Sequence, residues 1–307
     1  MSVMITGGAG FGGSSLALKL KELGHDIVLN DIIAPNSLPV KLQSFAYLWK
    51  AVHDLNEANI AEIDTIFHFA AQADVPLAIS SPRYTFMQNV SGMLNVLEVT
   101  KHLDLDKIIL SSSGNVFGRA TSLPIKEDSL PVAHNIYSAS KASCESLCSA
   151  YYHSYNSPTI ITRSGIAYGR GMRKNVFLYI WFKKLLQGEA ILVEGGAQTR
   201  DLTHINDLVE AWVKLLNIEP RFVVGSKFHF ASGVDTTVYE LANLCCEVAG
   251  RAPSKYINII EYRPGEEGMV EHFDVSKAER ELEWKATTDL KDGLKDLYEW
   301  IKYEEGR

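Results

Sequence analysis

Thr6-Gly7-Gly8-Ala9-Gly10-Phe11-Gly12-Gly13 stands between a β-branched and apolar run, Val3 to Thr6, and an amphipathic stretch, Ser14 to Leu23, that Gly24 ends. A glycine-rich turn placed between a strand and a helix lets bare backbone approach a pyrophosphate. The helix N-terminus there supplies free N–H groups and a dipole that favours an anion. Gly7, Gly10 and Gly13 give the spacing GxxGxxG, Gly8, Gly10 and Gly13 give GxGxxG, and Phe11 lies within both. Asp31 closes the second strand-like run, Ile27 to Asp31, where a carboxylate can accept hydrogen bonds from the adenine ribose hydroxyls. It would repel a 2′-phosphate, and no Lys or Arg follows before Lys41, so the predicted cofactor is NAD rather than NADP.

Outward from this cradle the same alternation continues. Ile66 to Ala70, Ile108 to Ser112 and Thr159 to Arg163 are short and nearly continuous in apolar residues, and the helical stretches Pro82 to Leu103 and Tyr137 to Tyr155 lie between them. Alternating strands and helices with strands apolar on both faces predict an α/β fold, a Rossmann-type doubly wound parallel sheet. After Arg163 the texture changes to a Gly- and Arg-rich turn (165–173), a helix Phe177 to Gln187, a strand Ile191 to Val193, a helix Asp207 to Leu216 and a strand Phe228 to Ala231. Helices near Val238 to Ala249, Ser276 to Leu282 and Leu290 to Tyr303 follow. The expected organisation is a cofactor domain over 1–165 with later returns near 204–232, interleaved with a smaller mixed α/β substrate domain over 166–307. Ala34 to Leu42, with Pro35 and Pro39, reads as a surface loop.

The 307 residues carry 30 Lys plus Arg against 37 Asp plus Glu, a net charge of −7, which disfavours a nucleic-acid partner. With 46% hydrophobic and 22% charged residues the chain is globular rather than disordered. No apolar run approaches the roughly 18 to 20 residues that cross a bilayer, and a strand-like segment at the first residues leaves no room for a signal peptide. Four cysteines are too few for a disulfide scaffold. The expectation is a cytoplasmic protein with no membrane partner. Cys144 and Cys148, and the adjacent Cys245 and Cys246, read as buried small hydrophobes, and nine scattered histidines form no ligand pair, so no metal is expected.

Tyr137-Ser-Ala-Ser-Lys141 is YxxxK, which on a helix sets both ends on one face, one turn apart. It follows the strand that ends in Ser111-Ser112-Ser113. A lysine ammonium near the phenol favours phenolate, which makes Tyr137 a general base toward an alcohol.

The cradle, His68-Phe69-Ala70-Ala71-Gln72, Asn89 with Gly92 and Asn95, SSSGNVFG (111–118), YSASK and Gln198-Thr199-Arg200-Asp201 together resemble the extended short-chain dehydrogenase/reductase family, in its nucleotide-sugar epimerase and dehydratase branch, over essentially the whole chain. The resemblance implies a catalytic set of Ser113, Tyr137 and Lys141, with Ser113 also holding substrate. It implies that Asp54 and Leu55 touch the adenine, that Ala70, Ala71 and Gln72 line the pyrophosphate and nicotinamide ribose, that Asn89 and Ser111 belong to the cofactor site, and that Lys141 grips the nicotinamide ribose. It implies that Arg200, Arg263 (in Arg263-Pro264-Gly265) and Asn175 hold a nucleotide diphosphate sugar. It also implies a homodimer through 82–103 and 137–155, although the apolar faces of those helices fit ordinary core equally well. Gly12 stands where the family usually has a bulky aliphatic residue, and Phe117 where it has tyrosine.

Dehydratases of the family place an Asp-Glu pair after the serine or threonine, whereas this chain has Gly114-Asn115, which cannot transfer protons; no Cys precedes Lys141 to serve the reductase and 3,5-epimerase chemistry. Simple redox epimerisation needs only Ser, Tyr, Lys and NAD, so the predicted activity is that of an NAD-dependent epimerase of a nucleotide sugar, foremost a UDP-sugar 4-epimerase. A CDP-sugar 2-epimerase of the tyvelose type, another nucleotide-sugar oxidoreductase and a non-catalytic NAD sensor are the alternatives. Ile166 replaces a substrate-holding Asn of the family, and Arg170, Arg173 and Lys174 follow it, either as a patch for a phosphate or sugar carboxylate or as a solvated loop.

Overall fold

The protein is represented by a computed structural model that describes residues 1–263 and 266–306. The first five predicted strands appear as β1 (Ser2–Thr6), β2 (Asp26–Asp31), β4 (Thr65–His68), β5 (Lys107–Ser111) and β6 (Thr159–Ser164), and a strand absent from the sequence reading, β3 (Ala46–Trp49), joins them. Its side chains are exposed or half-buried, so it lacks the apolar continuity by which its neighbours announce themselves. The third strand ends at His68, two residues before its predicted limit, and releases Phe69 and Ala70 into the loop above the sheet.

Later strands are β7 (Ile166–Tyr168), β8 (Ile191–Glu194), β9 (Thr199–His204), β10 (Lys227–Phe230), β11 (Asp235–Thr237) and β12 (Ile257–Ile260). The main sheet has seven strands in the order β10-β6-β5-β4-β1-β2-β3. The pairs from β3 through β6 are parallel. The chain builds outward from β1 through β2 to β3, then returns to β4 on the opposite side of β1. This is the switch point at which ligands bind in doubly wound sheets. Register aligns Thr6 with Asn30 on one side and His68 on the other, so Gly7 and Phe69 leave the sheet beside Asp31, the last residue of β2.

The helices are α1 (Phe11–Glu22), α2 (Val75–Ser80), α3 (Pro82–Phe86), α4 (Gly92–Thr100), α5 (Ile136–Tyr155), α6 (Phe177–Leu186), α7 (Ile205–Asn217), α8 (Pro220–Val223), α9 (Val238–Val248), α10 (Pro253–Tyr256), α11 (Ser276–Leu282) and α12 (Leu290–Glu305). The stretch expected as one helix from Pro82 to Leu103 runs through α3, a π-helical turn at Met87–Ser91, and α4, and stops at Thr100. Helix α5 starts at a capping box, Asn135 with Ser138, and ends where Asn156 takes a left-handed backbone with φ 55°. No helix among the described residues is long and apolar enough to cross a membrane.

The chain divides into two compact units. One comprises 1–118, 130–163 and 209–228, the other 119–129, 164–208 and 229–307. The first holds a core of Met4, Ile66, Val96, Leu97, Ile108, Leu110 and Ile161, into which Cys144 and Cys148 pack as apolar groups. In the second, β11-β9-β7 form one small sheet and β12-β8 another. The segment 119–129 belongs there because Ile125 bridges Phe273. Strand β9, TRDLTH, was not foreseen because it is polar, yet all six of its residues are buried. Ala34 to Leu42 contains two short 3-10 turns that bury Leu38 and Leu42.

Lys107 on β5 donates to the carbonyls of Leu216 and Ile218 at 2.5 Å each, and so closes the C-terminal end of α7 with a buried ammonium. Hydrogen bonds to charged groups contribute about 1.5–3 kcal/mol. Lys107→Met should therefore lower the free energy of unfolding in urea by an amount in that range, and an unchanged midpoint would show that the cap contributes nothing.

Candidate active site and cofactor cradle

The cradle is shaped by what cannot be there. Gly7 has φ +67°, and a Cβ on it would lie 2.6 Å from the Ala70 backbone nitrogen; a Cβ on Gly13 would lie 2.4 Å from the Gly7 carbonyl. Helix α1 starts at Gly10 with no side-chain cap, so the donors of its first turn stay with the loop. Asp31 holds the turn as well as facing it: one oxygen accepts from Ala9 N–H at 2.9 Å, the other from Ile32 N–H at 2.8 Å. Phe11 is half-buried, and its carbonyl accepts from the Ser15 hydroxyl at 2.8 Å. Gly12 is explained by aromatics: a Cβ there would meet the Phe69 ring at 3.2 Å and Trp212 at 3.5 Å, and those two rings pack edge-on with centroids 4.8 Å apart. They occupy the volume in which an aliphatic side chain would sit.

A cavity of about 340 Å³ lies over the cradle, lined by Gly7, Ala9, Gly10, Asp31, Ala70, Ala71 and Gln72. Ile32, Ile33, Lys50 and Val52 also line it and were missed in the sequence. The isoleucines could have been found as the residues that follow the acidic strand end, whereas Lys50 follows β3, the strand that left no signal. Lys50, beyond Lys41 in the chain, is a cation at the cavity wall, and its Nζ donates to Asn59 at 3.2 Å. Asp54 and Leu55 do not line the cavity. Leu55 is in the apolar core and Asp54 is exposed beside His53, although both belong to the turn that begins with cavity-lining Val52. These features fit NAD: a side-chain-free approach for a pyrophosphate, a helix N-terminus, a carboxylate for the ribose and an apolar pair for the adenine.

Asn89, buried in the π-helical turn, accepts from Gln72 N–H at 2.7 Å and donates to the Gln72 carbonyl and to the Ser140 hydroxyl at 2.8 Å. It thus ties the loop after β4 to α5 rather than facing the cavity. Ser140 in turn donates to the Tyr137 carbonyl. Lys141 is buried and donates to the Ser111 carbonyl at 2.8 Å. His68 accompanies it in the interior. Burial, reinforced by the Lys141 charge, pushes the His68 imidazole down to about 3, so it stays neutral and shares a hydrogen bond of 2.9 Å with Thr6. Ser113 is buried at the start of the 3-10 turn Gly114–Phe117 that follows β5, and its Oγ accepts from Asn115 N–H at 3.2 Å. Tyr137 is half-buried on the first turn of α5. Ser113, Tyr137 and Lys141 all belong to the first unit, on the β5 turn and on α5.

In the second unit Arg200 is buried on β9. It donates to Glu266 at 2.7 Å and lies 4.0 Å from Glu271, a carboxyl that burial pushes up to about 7 against the pull of Arg200. Arg263 is half-exposed and pairs with Glu194; Pro264 and Gly265 of its motif lie outside the described residues. Asn175 is exposed just before α6. Asp201 of the QTRD sequence turns inward and accepts from Ser232 and Gly233, a structural role. Arg170 is committed to Asp296 through Nε and Nη2, the latter at 2.6 Å, so it is one half of an ion pair rather than part of an open basic patch.

Comparison with known proteins agrees with this geometry. Residues 3–225 match the NAD dependent epimerase/dehydratase family. A putative UDP-glucose 4-epimerase of Methanocaldococcus jannaschii is 30% identical over 98% of this chain and 98% of its own length. UDP-glucuronate 4-epimerase 3 of Arabidopsis thaliana is 28% identical over 97% of this chain and 76% of its own. Among solved structures, UDP-glucose 4-epimerase of Thermotoga maritima with UDP-glucose has a TM-score of 0.90 at 25% identity, covering 99% of this chain and 100% of that one. UDP-glucuronic acid 4-epimerase of Bacillus cereus with UDP-glucuronic acid and NAD has a TM-score of 0.89 at 26% identity, with the same coverage. The glycine cradle over a doubly wound sheet and a match across most of the chain together place this protein in the NAD dependent epimerase/dehydratase family.

Proposed function

We propose that the protein inverts C4 of a UDP-sugar by transient oxidation and re-reduction. The observation that carries this reading is the turn Ser113-Gly114-Asn115: after the serine, which we assign with Tyr137 and Lys141 of α5 to the chemistry, the next two positions hold no group able to exchange protons, as water elimination would need. Bound NAD supplies a reversible acceptor for the hydrogen and electron pair on C4. Tyr137 takes the proton of the C4 hydroxyl and returns it once the keto sugar presents its other face. Lys141, fixed by the Ser111 carbonyl, supplies positive charge beside that base, and neutral His68 adds none. Ser113 holds the reacting oxygen. Arg200, Arg263 and Asn175 hold the diphosphate, for which two guanidiniums are better suited than lysines because each can bind two oxygens at once.

Relatives named for UDP-glucose and for UDP-glucuronate stand side by side, and their substrates differ by a carboxylate at C6. Arg170 pairs with Asp296 as Arg200 does with Glu266 and Arg263 with Glu194, so both sugars are substrates to test, UDP-glucose first. Exposed Met87 and Leu94 along the 82–100 helical run, and Tyr155 at the end of α5, support a homodimer through those helices.

Tyr137→Phe keeps the ring and deletes the proton acceptor, so turnover of UDP-glucose should fall by roughly 10² to 10⁴ while NAD is retained; near-parental turnover would remove Tyr137 from the chemistry. Arg200→Ala or Arg263→Ala should weaken UDP binding in calorimetry by about 1.5–3 kcal/mol and leave NAD content unchanged, and parental affinity in both would remove the diphosphate from the second unit. Light scattering should give twice the 34.1 kDa of one chain, and a mass of one chain would leave the exposed stripe unexplained.

A further inference from the structure

Beneath the catalytic turn lies a charge pair that the proposed chemistry does not use. Arg163 at the end of β6 has a fully buried side chain. Its Nε donates to Glu145 at 2.9 Å, its Nη2 to the other oxygen of the same carboxylate at 2.6 Å, and its guanidinium lies over the Phe117 ring, 4.7 Å from the centroid. The Glu145 oxygen that meets Nε also accepts from the Ser112 hydroxyl at 2.6 Å. Ser112 is itself zipped to β6, its N–H donating to the Thr162 carbonyl at 2.7 Å. Taking two charges out of water is costly, and apolar residues of similar volume often do as well or better for stability. Stability alone therefore gives little reason for a guanidinium and a carboxylate here.

Their placement gives one. Glu145 follows Lys141 by one turn on the same face of α5. The strand end 111–113 is held to that helix at two successive points, by Lys141 on the Ser111 carbonyl and by Glu145 on the Ser112 hydroxyl. Ser113 comes next. Phe117, which stands where the family has tyrosine, closes the far side of the same turn and lies against the guanidinium. We propose that Arg163, Glu145 and Ser112 form a positioning clamp that fixes the serine turn against the helix carrying Tyr137 and Lys141, so that the serine hydroxyl, the phenol and the ammonium keep one mutual geometry through both halves of the reaction. All three are buried. They act through Ser113 and Lys141, and a displacement of order 1 Å at such a site can cost roughly a hundredfold in rate.

The proposal rests on the epimerase reading for its rate and on the fold alone for its geometry, so two measurements are made. Ser112→Ala removes one hydroxyl and leaves the ion pair paired, which keeps the protein folded where Glu145→Gln would strand a buried guanidinium. In NAD-loaded protein, kcat for UDP-glucose should fall roughly ten- to a hundredfold with KM and thermal midpoint close to those of the parent. The ionisation curve of Tyr137, obtained as the ultraviolet difference between each protein and its Tyr137→Phe counterpart, should be displaced. A lower thermal midpoint with parental kcat and an unmoved curve would make the network merely structural and overturn the proposal. If the parent epimerises neither UDP-glucose nor UDP-glucuronic acid, the proposed function fails, and the Tyr137 curve alone then decides: displaced in Ser112→Ala, the clamp stands, and unmoved, it falls.

Discussion

No Cβ fits at Gly7 or Gly13, and the site is organised around that exclusion. The two positions bring the end of β1 within van der Waals reach of the Ala70 backbone and fold the turn back on its own carbonyl. Only then can α1 begin at the sheet's switch point with donors free of a side-chain cap. The same closeness assigns Asp31 two tasks. Its carboxylate lines the cavity, and by accepting from Ala9 N–H it fixes the turn whose shape admits a pyrophosphate. Phe69 and Trp212 complete the arrangement from behind, taking the room that Gly12 leaves.

On the opposite side of the switch point, polar groups rather than small ones set the geometry. Asn89 holds both backbone groups of Gln72 and reaches Ser140, Lys141 holds the Ser111 carbonyl, and Glu145 holds Ser112. Helix α5 is thereby bound along one face to two loops that leave the sheet, one after β4 and one after β5. Buried polar networks of this kind specify a single arrangement when every member is satisfied. A reaction that takes a proton away and gives it back to the same oxygen needs that constancy more than it needs additional catalytic groups.

What the sequence disclosed follows from how local each signal is. The cradle was legible because a glycine-spaced turn between a strand and a helix is a local pattern, although the Ala70 backbone that demands Gly7 is remote in the chain, and Tyr137 and Lys141 because a helix fixes their relation by spacing alone. Strand β9 was not, since Thr199 to His204 reads as polar surface until Asp201 is seen to cap the backbone of Ser232 and Gly233, and Arg200 to meet Glu266. Arg170 looked like part of a basic patch because its partner, Asp296, is more than a hundred residues away in the chain. Asn89 was assigned to the cofactor on the resemblance, and its part in tying the loop after β4 to α5 depends on a π-helical turn with no sequence mark. Leu55 illustrates the converse, a residue placed near the adenine whose side chain belongs to the core.

The most direct test of the account follows the hydrogen on C4. The purified protein, with no NAD added, is given UDP-glucose in deuterium oxide, and the products are read by proton and deuterium magnetic resonance. Oxidation and return by a retained cofactor predicts UDP-galactose that keeps its original hydrogen at C4 and carries no deuterium on carbon. Deuterium at C4 would show inversion by proton exchange with solvent, and failure of any nucleotide sugar to epimerise without added NAD would show that the cradle does not hold its dinucleotide through the cycle; either result contradicts the account.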